Sequence, residues 1–508
     1  MTPLEGLEIG RVKSSSSEEE EKERLMFFLR KYRLKVKVTR ETLFDLINSM
    51  ANQIAILAVF SVFFFAQGSG LEPRRHGNRG SNTWDSYCGP LNQSTALARA
   101  QWQAANLLSS GYDVFTLDEG WSSSTSIDSY GRQIAQTSYY PDFEGLIAQV
   151  HALGLRFGVW TIRGIPLAAV SQNLPIANSS YTATTAGRAV NDPTDKCSWS
   201  NDNVAVLDNA AGAAYYASVA QHYKGMGIDF VKVDCMITSN GTGLYTTEFT
   251  LFAREMRAVG IELSVSPGVS MNAANFSYMA QNSLATEVRI TNDLWDFWSN
   301  PDCDSNPQTC YPTDVRSKLD LVPQYFPYTG LNGLYSDPDM LPLGHILHDG
   351  CKGPASYTRL SENEQITLLS IEYMARSPLI FGGLMPLDDT DTFTLPTLTN
   401  PEALAVHSFS EGPRVVNTSV GDGRVYAFVA DAIDVTGDIF VALFQANDVE
   451  GPVGVKTADV GVFPGVNVCA RSLWERANVP GTFNDKTDFV VTLQPHQAGL
   501  YRLTSCST

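Results

Sequence analysis

Four stretches of the chain end an apolar run in polar or charged residues: Asp118-Glu119-Gly120-Trp121, Lys232-Val233-Asp234-Cys235, Ser264-Val265-Ser266-Pro267, and Arg289 leading to Asp293. Two opposed carboxyl groups can cleave an acetal. One protonates the leaving oxygen while the other, as an anion on the opposite face, captures the oxocarbenium-like centre. In that scheme Asp234 is the charged member, since Lys232, two positions earlier on the same strand face, presents a cation nearby. Asp293 is the protonated member, because partial desolvation among Trp295 and Trp298 would raise its pKa. Taken singly, Asp234 also reads as a salt-bridge partner of Lys232, and Asp293 as an Asx-turn residue.

The elements that must position these residues alternate. β-rich runs are expected at 83–87, 113–117, 155–162, 230–233, 261–265, 284–290, 333–336 and 379–382, with helices between most of them, notably 96–110, 209–224, 246–258 and 362–376. Leu97, Ala100, Ala104, Leu107 and Leu108 give the first helix an apolar stripe, and Gly111 is placed to end it. Repeated βα units of this number and length predict a (β/α)8 barrel, whose active site lies at the C-terminal ends of the strands. A doubly wound open sheet is the alternative, but no G-x-G-x-x-G follows the first strand. Asp118 and Glu119 can both reach one pocket only if their strand ends and bends there, which Gly120 permits. Beyond residue 396 the runs 424–430, 438–445, 489–493 and 499–503, separated by turn residues, predict an antiparallel β-sandwich. It is expected to stabilise the barrel, with sugar binding as the alternative role.

Several motifs, in order, resemble the α-galactosidase family, glycoside hydrolase family 27. Trp84-Asp85-Ser86-Tyr87 is similar to the family's opening tryptophan segment, and Leu117-Asp118-Glu119-Gly120-Trp121 to its paired-acid segment. Phe230-Val231-Lys232-Val233-Asp234-Cys235 resembles the nucleophile strand, and Arg289-Ile290-Thr291-Asn292-Asp293 the R-x-x-x-D acid/base segment. Asp337-Pro338-Asp339-Met340-Leu341 and Ser377-Pro378-Leu379 complete the series. The resemblance implies a retaining exo-glycosidase that releases terminal α-linked galactose and needs no metal or organic cofactor. Asp234 would be the nucleophile and Asp293 the general acid/base, with carboxyl groups about 5 Å apart. It implies further that Asp118 and Glu119 hold hydroxyls at the far edge of the sugar, that Trp84 lies against its apolar face or packs in the core, and that Lys232 and Arg289 hold neighbouring hydroxyls. The substrate would be a galactose-containing oligosaccharide, polysaccharide or glycolipid.

Two positions depart from the family pattern. Glu119 stands where a second Asp is common, and its extra methylene could fill the space of the C6 hydroxymethyl. A β-L-arabinopyranosidase is therefore an alternative. Ser266 falls near where α-galactosidases often carry a Glu reading the 2-substituent, which keeps an α-N-acetylgalactosaminidase open. A sugar-binding protein without turnover is the alternative of another class, and a transglycosylase would use the same residues.

Composition bounds the rest. A formal charge of −18 over 508 residues argues against a nucleic-acid or anionic-membrane surface. The apolar run 54–66 is short of the roughly 20 residues that span a bilayer but suits a secretory signal. The expected organisation is a low-complexity or mis-annotated extension at 1–49, a signal-like segment at 50–70, the barrel at 71–395 and the sandwich at 396–508. Secretion follows, with a vacuolar or lysosomal destination or a short signal anchor as alternatives; no stable membrane partner is expected. Cys88, Cys197, Cys235, Cys303, Cys310, Cys351, Cys469 and Cys506 form no C-x-x-C pair and no zinc spacing, so disulfides are expected. A Cys197–Cys235 bridge would brace the Asp234 loop, and Cys303–Cys310 would staple the loop after Asp293. Glycosylation triplets at Asn92, Asn178, Asn240, Asn275 and Asn417 agree with an oxidising route. His345 and His348 read as structural.

Overall fold

The computed structural model describes residues 75–189, 197, 199–236, 245–266, 272–300, 313–348 and 351–506, all within the unit Ser69–Thr508. The expectations for 1–49 and 50–70, the Asn240 triplet and the Cys303–Cys310 bridge lie outside the described residues. Eight short strands form one parallel sheet: β1 Arg79–Asn82, β2 Val114–Leu117, β3 Arg156–Ile162, β4 Phe230–Asp234, β5 Glu262–Ser266, β6 Glu287–Arg289, β7 Tyr335–Asp337 and β8 Leu379–Phe381. Their order is β8-β1-β2-β3-β4-β5-β6-β7. A parallel bridge from Leu341 to Phe381 links the segment after β7 to β8. The curled sheet and the helices that follow its strands make a (β/α)8 barrel.

Two expectations need correction. The first strand is Arg79–Asn82, not 83–87, and Trp84–Tyr87 is a single helical turn. Hydrophobic patterning missed this strand because Arg79, Ser81 and Asn82 are polar yet buried, with Ser81 donating to Gln103 Oε1 at 2.6 Å and Asn82 to Asp118 Oδ2 at 2.6 Å. Gly80 is required here, since a Cβ would lie 2.3 Å from the Val114 carbonyl on β2. In the following helix, Gln93–Asn106, the buried face is Ala96, Arg99, Ala100 and Gln103, whereas Leu97, Ala104 and Leu108 are only partly buried. The polar members are there because they satisfy strand-end carbonyls. Gln103 donates to the carbonyls of Tyr112 and Val114, and Arg99 to that of Gly383.

The antiparallel strands of the C-terminal sandwich begin at Ser410, after the helix Pro401–Phe409. A six-stranded sheet faces a three-stranded one. Along Val425–Ala432 and Ile439–Gln445, alternate residues divide between two cores. Ala427, Val429, Val441 and Leu443 face the smaller sheet, while Phe428, Ala430, Phe440, Ala442 and Phe444 join the barrel's core. The barrel helix Glu362–Ala375, closed at its start by a Ser361/Glu364 capping box, is almost wholly buried. The sandwich therefore covers apolar barrel surface. His496 crosses the same boundary, stacked on Trp298 with centroids 4.2 Å apart and bonded to Glu364 at 2.7 Å. His348 joins Asp296 and Ser356 in the hairpin that packs beside the Trp84 turn, and His345 packs on Tyr357. No described helix is long and apolar enough to cross a membrane.

Candidate active site

The C-terminal ends of the strands surround a cavity of about 720 Å3. Trp84, Asp118, Glu119, Lys232, Asp234, Arg289 and Asp293 all line it. Ser266 does not: its side chain is buried at the end of β5, paired in register with Asp234, and its hydroxyl has no hydrogen-bond partner among the described residues.

β2 ends at Leu117, and Gly120 takes φ +105°, so the chain bends as the paired acids require. Asp118 is held from several sides. Its backbone N–H donates to Thr83 Oγ1 at 2.9 Å, while its Oδ2 accepts from Asn82 at 2.6 Å and from Lys232 Nζ at 2.8 Å. The alternative reading of Asp234 as the salt-bridge partner of Lys232 is thus corrected, since the direct partner of Lys232 is Asp118, two strands away across β3; the Lys232 cation still lies near enough to Asp234 to favour its charged form. Burial and Arg289 work against the Lys232 charge, but Asp118, Asp234 and Asp339 together outweigh them and keep the ammonium protonated. Glu119 is left pointing into the cavity with a pKa pushed up by partial burial and by the carboxylates of Asp118 and Asp234. Trp121 is not a lining residue. It is buried, stacks on Phe143 and donates to the Trp160 carbonyl at 2.7 Å.

Asp234 closes β4. Its Oδ1 accepts from the backbone N–H of Cys235 at 2.8 Å, and its Oδ2 faces the Trp160 indole N–H at 3.4 Å. Burial pushes its pKa from an ordinary 3.8 to about 6, even though Arg289 and Lys232 pull it down; Asp293 adds to the rise. Cys235 has φ +65° and is bridged to Cys197, with Cα atoms 5.7 Å apart. The structure also joins Cys88 to Cys351, which ties the end of the Trp84 turn to the neighbouring hairpin, and Cys469 to Cys506 in the sandwich.

Arg289 is buried at the end of β6 and bonds Asp293 Oδ1 at 2.8 Å, with Asp339 Oδ1 at 3.7 Å. Burial opposes its charge, yet Asp339, Asp293 and Asp234 together hold it more firmly protonated than usual. The expectation of a desolvated Asp293 is corrected: its side chain is 60 % exposed and is bonded to Arg289. The tryptophans failed as a guide because Asp293 stands at the cavity rim.

Sequence reasoning quoted the motif containing Asp339 without giving that residue a role. It adopts φ +89°, outside the range an L-residue prefers, and its Oδ2 accepts the backbone N–H of Leu294 at 2.7 Å. Asp339 thereby pins the chain next to Asp293 while facing Arg289. Asp85 was also passed over. It is buried on the cavity wall, and burial together with Asp339 drives its pKa well above the ordinary range. Trp160 and Trp199 line the cavity too. Period-two alternation on β3 could have placed Trp160 with Ile162, but nothing in the spacing marked Trp199. Among the described residues no group of three or more His, Cys, Asp and Glu side chains is disposed to hold a metal ion.

No family model matches the chain. Individual proteins do. A family 27 β-L-arabinopyranosidase from Geobacillus stearothermophilus, solved with arabinose, superposes with a TM-score of 0.74 at 28 % identity, covering 85 % of this chain and 98 % of that one. Alpha-galactosidase 2 of Arabidopsis thaliana is 22 % identical over 434 residues, 84 % of this chain and 88 % of its own length. The chain belongs to glycoside hydrolase family 27. α-Galactosidase I from Mortierella vinacea shares the fold of this family 27 protein, with a TM-score of 0.66 at 18 % identity over 87 % of this chain and 99 % of that one.

Proposed function

We propose that this family 27 protein is a retaining exo-glycoside hydrolase that releases terminal α-linked galactose from an oligosaccharide, polysaccharide or glycolipid. The observation that carries the reading is the placing of Asp234 and Asp293 on one cavity with Arg289 close to both. Asp234, fixed by the Cys235 N–H, attacks the anomeric carbon as a carboxylate. The bond to the leaving oxygen breaks as Asp293 gives that oxygen its proton, leaving a glycosyl ester on Asp234. In the second half, Asp293 takes a proton from water, the hydroxide displaces Asp234, and both carboxyls return to their starting forms. Exposure suits Asp293 to this work, since it meets both the departing group and the incoming water. Asp118 and Lys232, locked to one another, present a fixed acceptor and donor to sugar hydroxyls, and Trp84 offers an apolar wall.

A β-L-arabinopyranosidase is the second reading, and Glu119 favours it. Its carboxyl reaches into the cavity from the position where a shorter Asp is common, and a pyranose lacking C6 leaves room for it. The Geobacillus relative acts on that class of sugar. The α-N-acetylgalactosaminidase reading depended on Ser266, which does not line the cavity. Hydrolysis of matched nitrophenyl α-galactoside, β-L-arabinopyranoside and α-N-acetylgalactosaminide by residues 70–508 tests the proposal. Cleavage of the galactoside with retained anomeric configuration is expected. Turnover of the arabinoside alone would select the second reading, and no turnover of any would leave a binding role.

A further inference from the structure

One wall of the cavity carries an aromatic side chain that the reaction at the anomeric carbon does not use. Trp199 lines the cavity yet is 48 % exposed, unusual for the side chain with most apolar area to bury. It stands beside Trp160, with ring centroids 6.4 Å apart and planes inclined by 41°. The two rings differ in depth. Trp160 is 8 % exposed and directs its indole N–H at Asp234, so it belongs to the sugar that reacts. Trp199, its centroid 6.4 Å from that of Trp160, is the far more exposed of the pair. Its position relative to Asp234 is fixed covalently, because Cys197, two residues before it, is bridged to Cys235, the residue after Asp234. Ser200, Asn201 and Asp202 follow it on the same rim and line the cavity as well.

A flat apolar face with a polar edge recognises a pyranose ring, whose C–H groups lie on one face and whose hydroxyls project at the rim. We propose that Trp199 is the stacking platform for the leaving group, and that the preferred substrate therefore carries a ring, a second sugar, directly beyond the scissile bond. This deepens the proposed function and rests on it. An alkyl or lipid aglycone would meet the same indole without using the Ser200–Asp202 edge. The disulfide makes the platform effective, since a stacking surface on an untethered loop would lose ordering entropy with each binding event.

The test compares wild type, Trp199→Ala and Trp199→Phe on methyl α-galactoside and on an α-galactosyl disaccharide, reading the ratio of kcat/KM for disaccharide over methyl glycoside. The ratio is expected to fall about tenfold in the Ala variant, the size of one lost stacking contact, and to recover largely in the Phe variant, which keeps a ring. An unchanged ratio in Trp199→Ala, a fall that Phe does not recover, or an equal loss on both substrates in an active enzyme overturns the platform while the proposed function stands. A wild type that cleaves neither substrate overturns the proposed function and this inference with it.

Discussion

Replacing Asp234 by Asn should make the protein more stable at neutral pH while removing its activity. The folded protein holds the Asp234 proton up to about pH 6, whereas the unfolded chain releases it near 3.8. Between those values the folded state binds more protons than the unfolded state, so stability falls as pH rises from 3.8 through 6. The gap of about 2 pH units corresponds to about 3 kcal/mol at roughly 1.4 kcal/mol each. That is an upper figure, because Asp234 faces a cavity that water can enter. The attraction of Arg289 and Lys232 is already contained in the net shift. Asn keeps the acceptor for the Cys235 N–H and loses only the long contact with the Trp160 indole. At ~2.1 cal/mol/K per residue the unit Ser69–Thr508 unfolds with an entropy of about 0.9 kcal/mol/K, so the gain in Tm is at most about 3 °C. The assay is apparent Tm at one fixed scan rate for wild type and Asp234→Asn from pH 3.5 to 7.5. The difference should be near zero below pH 4, grow between 4 and 6, and stay level above. A difference that is absent at pH 7.5, or the same at every pH, would refute the claim that an ionised Asp234 is held against its own desolvation.

Glu119→Asp should raise the preference for galactoside over arabinopyranoside by about tenfold, the scale of one methylene in a tight pocket; an unchanged ratio in matched nitrophenyl assays discards the steric argument. Asp293→Asn should lower kcat/KM by roughly 10²–10⁴-fold for glycosides with poor leaving groups and far less for nitrophenyl glycosides, and equal losses on both would remove the acid role. At the opposite end of the barrel, Glu287 is buried and its pKa is raised to about 8 by burial, Asp337 and Glu262, against the pull of Asn78. Folding stability should therefore decline from about pH 4.5 through 8, and Glu287→Gln, which preserves the acceptor for the Asn78 N–H, should flatten that decline in a Tm series. A wild-type profile as flat as the variant's would contradict it.

How far the sequence could be read depended on which side chains the strands bury. β2, β3, β5 and β8 carry apolar runs, and their expected limits fall within a residue of those observed. β1 was misplaced by several residues because its buried side chains are an arginine, a serine and an asparagine joined by hydrogen bonds, which no hydropathy pattern reveals. Motif order brought out Asp118, Lys232, Asp234, Arg289 and Asp293, and they do surround one cavity. Their partners were not legible. Lys232 bonds Asp118 rather than Asp234 because the strand curl brings β2 and β4 toward a common axis, a three-dimensional fact that spacing along one strand cannot supply. Asp339 escaped notice because its importance lies in a left-handed backbone angle and a bond to Leu294, both of which need coordinates. Trp199 escaped because a lone tryptophan in a loop has no period to stand out from.

The central claim, that Asp234 forms the covalent bond to the sugar, is tested most directly by trapping that bond. A fluorinated galactosyl substrate, activated at its leaving group and slow to hydrolyse from the enzyme, should add one glycosyl mass to the intact protein. Peptide mapping should place that mass on Asp234, and Asp234→Asn should acquire none. A glycosyl group on any other residue, or a turning-over enzyme that releases sugar of inverted configuration and never carries an adduct, would contradict the account.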